Sequence, residues 1–139
     1  MPANTAPIFT LRPEIMWNVS ITAANNTGDL TSGTVYPVFT AGTEGSYVQK
    51  IRFRHTGANS AATVGRVWIN NGSTTTTAAN NTLFDEITIA ANATFVTNAA
   101  STNYELPLMF ALPPNYIIYV TIGAAAAGGI DATVIGGDY

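Results

Sequence analysis

The chain has 139 residues, enough for one domain and too few for two ordinary ones. Only 9% of the residues are charged, against roughly 25% in ordinary soluble domains, and the net charge is −3, which excludes a nucleic-acid binder held by phosphate attraction. The absence of cysteine removes disulfides, thiolate metal sites and cysteine nucleophiles together.

Residues 1–13 carry Pro2, Pro7 and Pro13 and few large apolar groups, and read as an extended N-terminal arm. They lack the basic and apolar regions of a signal peptide, and no apolar run reaches the roughly 20 residues of a membrane span. The expectation is a chain made and folded in a cytoplasm. From Glu14 the pattern has period two, with Ile15, Trp17, Val19 and Ile21 on one face of a half-buried strand and Met16, Asn18 and Ser20 on the other. Asn25 to Asp29 form a turn, and Val35 to Phe39 form a strand that Pro37 assigns to a sheet edge.

Tyr47 to His55 is the clearest strand. Tyr47, Gln49, Ile51, Phe53 and His55 fall on one face, and Val48, Lys50, Arg52 and Arg54 on the other. Thr56 to Ser60 turn the chain and Val64 to Asn70 return it, which predicts a hairpin. Asn71-Gly72 is a strong turn dipeptide and opens a neutral Thr/Asn-rich loop. Further strands are expected at Leu83–Ile89, Ala93–Thr97, Tyr104–Leu112, Tyr116–Ile122 and Ile130–Ile135. No stretch carries a helical apolar stripe. The fold class is all-β: an antiparallel β-sandwich, jelly-roll-like, comprising one domain over 14–139 behind the arm.

Catalytic constellations are missing. His55 is the single histidine, and no Gly-x-Ser-x-Gly elbow accompanies the loop serines. Asp85 and Glu86 are neighbours on a strand and leave opposite faces, unlike a glycosidase pair. Asp29, Asp131 and Asp138 sit near glycines without the spacing of a calcium loop, so no metal or cofactor is assigned. Neither catalytic residues nor a cofactor site are expected.

The informative groups are basic and aromatic. Lys50, Arg52, Arg54 and Arg66 are four of the five basic residues, and the predicted hairpin gathers them. Such a cluster is either a solvated sheet face or an anchor for acidic groups on a partner, bonded by forked guanidinium geometry. Tyr119 and Tyr139 join them as candidate contact residues; Tyr116 and Tyr119 leave opposite faces of one strand, so one of them is free to meet a partner. A surface of Thr, Asn, Ser and Ala costs little to desolvate and suits a protein covered by neighbours.

The arm Met1–Pro13, the Thr/Asn/Ala-rich loops, the segment Leu112-Pro113-Pro114-Asn115-Tyr116-Ile117-Ile118-Tyr119-Val120-Thr121 and the ending Ile135-Gly136-Gly137-Asp138-Tyr139 resemble small virion proteins of tailed bacteriophages. The nearest class is the capsid decoration, or cement, proteins. That resemblance implies a β-sandwich or jelly-roll module, often a homotrimer, that seats on the major capsid protein and bridges shell subunits in the virion, without nucleic-acid or membrane contacts. A tail, head-fibre or baseplate component and a carbohydrate-binding module are the alternatives.

Overall fold

Eight strands and one short 3-10 turn make up the computed structural model, which describes residues 10–58, 60–92 and 99–139. The strands are β1 (Arg12–Ile21), β2 (Tyr36–Thr40), β3 (Ser46–His55), β4 (Thr63–Asn70), β5 (Asn81–Ile89), β6 (Asn103–Leu112), β7 (Ile117–Ile122) and β8 (Ile130–Asp138). Each coincides with a run of alternating or β-branched residues, because alternation follows from the pleat and branched side chains fit its surface. The segment 93–97, expected as a further strand, lies outside the described residues. β1 begins at Arg12, inside the stretch read as arm, and the Leu11 amide already bonds the Asp138 carbonyl at 2.8 Å. No helix of the described residues is long and apolar enough to cross a membrane.

Two four-stranded antiparallel sheets form a sandwich, with orders β1-β8-β3-β6 and β2-β7-β4-β5. The chain can be followed as one long ribbon folded back on itself at residues 71–80. β4 pairs with β5, β3 with β6, β2 with β7 and β1 with β8. Rolling that ribbon adds the β3–β8 and β4–β7 ladders. At the fold-back, Gly72 takes φ +86°, a conformation glycine adopts without steric cost, and its amide bonds Asn70 Oδ1 at 2.8 Å. Pro37 sits on β2, an edge strand as its missing donor requires.

The ladder corrects the hairpin expected between β3 and β4. These strands belong to different sheets, and the chain crosses the sandwich between them. Sequence cannot tell an in-plane return from a crossing, because side-chain alternation is the same in both. A second correction concerns the phase of β3. One extra residue, Gln49, bulges between the pairs Val48–Gly136 and Lys50–Ile135. Ser46 and Val48 therefore point inward with Ile51, Phe53 and His55, while Tyr47 stands on the outer side with Lys50, Arg52 and Arg54. Gly136 faces the bulge, where a Cβ would collide with the Tyr47 carbonyl.

Val48, Ile51 and Phe53 of β3 and Ile130, Ala132 and Val134 of β8 meet Val67 of β4 and Ile118, Val120 and Ile122 of β7 in one buried core. Trp68 and Leu30 are also buried but lie outside that cluster. They belong to a smaller layer in which the 22–35 loop covers the outward face of the second sheet. The Asn25 amide bonds Ile122 O at 2.8 Å, Asn26 Nδ2 donates to Gly123 O at 2.8 Å, and Asn81 Nδ2 donates to Asp29 O at 2.9 Å.

Candidate interaction surface

The outward face of the second sheet is partly covered by that loop; the outward face of the first carries no such layer among the described residues. Its rows follow from the registers. Pro13, Gly137, Tyr47 and Ala111 stand side by side; next come Ile15, Ile135, Lys50 and Pro107, then Trp17, Thr133, Arg52 and Glu105. The β1 end of these rows is apolar, the middle is charged, and Tyr47 donates to Met109 Sδ at 3.4 Å on the β6 side.

A bulge in β1 produces the apolar end. Between the pairs Asn18–Ala132 and Ile21–Ile130 the strand carries one extra residue, and Ser20 takes φ +54° with its amide bonded to Asp131 Oδ1 at 3.0 Å. The slip sends Ile21 into the core and leaves Ile15, Trp17 and Val19 outside, exposed by 57%, 63% and 54%. This corrects the single face expected for Ile15, Trp17, Val19 and Ile21. Met16 packs inward against the core, and Asn18 Nδ2 reaches Pro37 O at 3.0 Å across the open edge of the sandwich. Ile15, Met16, Trp17 and Val38 line an open groove there.

The basic residues divide. Lys50 Nζ lies 3.0 Å from Glu105 Oε2, and Arg52 donates through Nε and Nη2 to Glu105 Oε1 at 2.8 and 2.6 Å. Hydrogen bonds from Lys50, then from Arg52, hold the Glu105 carboxyl below its ordinary value of 4.5. Both cations are thus engaged within their own sheet. Arg54 points outward beside them, with no carboxylate within ion-pair distance among the described residues. It lines a cleft with Arg52, Thr56, Asp131 and Thr133.

Arg66 is not their neighbour. It lies on the second sheet, where Nε donates to Glu86 Oε1 at 2.7 Å and Nη1 to Asn26 Oδ1 at 2.9 Å and Asn25 O at 3.3 Å. It clamps the 22–35 loop. Tyr119 stands on that same outward face, opposite Trp68 and half-buried. Tyr139 follows β8, its amide bonded to Gly45 O at 3.2 Å.

His55 is buried, with Nε2 2.9 Å from Ala90 O and its ring edge-on to Tyr104. Its other nitrogen, Nδ1, has no hydrogen-bond partner among the described residues. Asp29 bonds Thr31 within its own turn, while Asp131 and Asp138 tie the two ends of β8 to other segments, Asp131 accepting from Ser20 at the β1 bulge and Asp138 from Ser46 and Gly42.

Sequence reasoning did not mark as exposed the large apolar side chains that the structure leaves in solvent among the described residues: Leu11 just ahead of β1, Ile15, Trp17 and Val19 on β1, Leu83 and Phe84 on β5, and Met109 on β6. One signal for β1 was present. Ile15, Met16 and Trp17 are consecutive and apolar, and an edge strand of a two-layer sandwich can bury only one face.

An all-β sandwich with one outer sheet face left uncovered by the described residues and partly apolar is therefore the class that fold and surface define. No protein-family model and no curated protein sequence matches the chain. Among solved structures it is similar to the Gt strain of infectious bursal disease virus, at 16% identity over 97% of this chain and 36% of the other, with TM-score 0.29. It is similar also to the VP2 subviral particle of that virus, at 11% identity over 98% and 36% of the two chains, with TM-score 0.31. The Gx strain gives 12% identity over 97% and 38%, with TM-score 0.31. The chain spans little more than a third of those chains, and overlays of this quality carry no residue role from them to it.

Proposed function

We propose that this chain is a virion structural protein, specifically a decoration protein that seats on the head shell of a tailed bacteriophage and bridges its major capsid subunits. The observation that carries this reading is the uncovered apolar stripe Ile15, Trp17 and Val19 on a body with only 9% charged residues. Water is a poor lasting environment for such a surface, and exposed apolar patches mark interaction sites. The order β1-β8-β3-β6 facing β2-β7-β4-β5 is read as a jelly roll, an architecture used in viral shells and lectins. On a repeating shell, avidity turns a modest single contact into lasting attachment.

In this reading the protein works as a homotrimer on the shell, and Arg54, with Arg52 beside it, meets acidic groups of a capsid subunit. The residues ahead of β1 act as an arm that adds to a partner's sheet edge. Cryo-electron microscopy and quantitative mass spectrometry of the native particle test the assignment. Hundreds of copies on the shell are expected; a handful of copies indicates a tail, head-fibre or baseplate part, and absence from the particle removes the assignment. The variant Arg54→Ala, which leaves the Lys50 and Arg52 ion pairs with Glu105 in place, should bind purified heads less well while melting close to the parent.

Trp17 favours one reading of another kind. An exposed indole on a β-sandwich face can stack on a sugar ring, as a carbohydrate-binding module would use it. A saturable change of Trp17 fluorescence on sugar titration would favour that reading over shell binding.

A further inference from the structure

The first sheet carries an opposite-charge pair that does not close. Arg54 and Asp131 are direct partners in the β3–β8 register, on its outward face. Opposite charges in that position ordinarily attract across the ladder. Here Asp131 is engaged from the other side, where β1 lies: its Oδ1 accepts from the Ser20 amide of the bulge at 3.0 Å. Neither Arg54 nor Asp131 belongs to an ion pair among the described residues. The neighbouring cations are taken, because Glu105 holds both Lys50 and Arg52.

Both unpaired charges line one cleft of about 320 Å³, together with Arg52, Thr56 and Thr133. That volume is small for a ligand pocket and suits the heads of one or two side chains. A guanidinium offers only donors and a carboxylate only acceptors. What satisfies both is therefore itself two-sided. A patch of carboxylates alone would meet Arg54 and set like charge against Asp131, and a patch of cations alone would do the reverse.

We propose that the capsid surface seated here presents a carboxylate to Arg54 and, one strand spacing or about 5 Å away, a donor to Asp131. The donor is a Lys or Arg head or a hydroxyl. This rests on the shell-seating reading, which already gives Arg54 an acidic partner, and it adds the group that stands beside that acid. A mixed patch also fixes how the protein is turned on the shell, because half a rotation brings like charges together.

Binding to purified heads assembled without this chain tests the proposal through Asp131. Asp131→Asn removes the charge and keeps an oxygen for the Ser20 amide, so melting should stay near the parent. A two-sided patch weakens head binding of this variant by roughly five-fold, the loss of one partly exposed ion pair. Added salt should narrow that gap; a gap that ignores salt is a folding effect and counts against the proposal. Unchanged or tighter binding means an acidic patch alone, which overturns the proposal and leaves the shell reading in place. Heads that do not take up even the parent chain remove the shell reading and the proposal together. A dimer by light scattering that Asp131→Asn splits would put Arg54 of one copy on Asp131 of another, and would also overturn it.

Discussion

Trp68 Nε1 donates a hydrogen bond of 2.9 Å to Thr121 Oγ1 on the neighbouring strand, and both side chains are buried on the outward face of the second sheet. The bond satisfies the one polar atom of a large apolar side chain beneath the 22–35 loop. Replacing Thr121 by valine keeps the shape and removes the acceptor. A buried donor left without a partner costs about 1–3 kcal/mol. Thr121→Val should lose that much in urea unfolding with an unchanged m-value, and Thr121→Ser should stay near the parent.

Gly65 makes room for Phe53 across the core. A Cβ on Gly65 would lie 3.1 Å from Phe53 Cζ and 3.2 Å from Ile89 Cδ1, closer than side chains ordinarily approach. Overpacking of this kind costs about 1–3 kcal/mol. Gly65→Ala should fall in that range, and adding Phe53→Leu should give a double variant more stable than the sum of the two single effects. Simple additivity would show that the ring moves aside freely.

Glu105 gathers Lys50 and Arg52, and its carboxyl titrates below the ordinary value of 4.5 because both cations hydrogen-bond the ionised form, Lys50 most strongly. A carboxylate whose folded pKa is depressed adds stability at neutral pH. That contribution is lost as the pH falls below 4.5 through the folded pKa. Glu105→Gln should therefore flatten the pH dependence of stability in that acid range, and added salt should narrow the difference between variant and parent at pH 7.

Arg66 ties the 22–35 loop to the second sheet through Asn25 and Asn26. Arg66→Met keeps much of the apolar stem and removes those donors. Limited proteolysis should then cut within 22–35 sooner than in the parent, while amides of the central strands keep their hydrogen-exchange protection. Equal protease resistance would mean that Trp68 and Leu30 hold the loop without the guanidinium.

Much of the fold was legible along the chain. The strand at 47–55 was marked by alternation, the fold-back by Asn71-Gly72, and the edge position of β2 by Pro37. The candidate surface was legible only in part. The outward cluster Lys50, Arg52 and Arg54 was read on its correct side, but Arg66 was placed with them by a hairpin that does not form.

By itself, then, the sequence determined an all-β chain with few charges and turns in set places, because pleat and turn geometry are properties of neighbouring residues. Only the tertiary structure decided which strands share a sheet and which apolar face meets water. A bulge such as the one near Ser20 exists only by comparison with the residue count of a partner strand more than a hundred positions away. The two tryptophans show the consequence: Trp68 lies under the 22–35 loop, while Trp17, equally hydrophobic, is turned outward by its strand's pairing with β8.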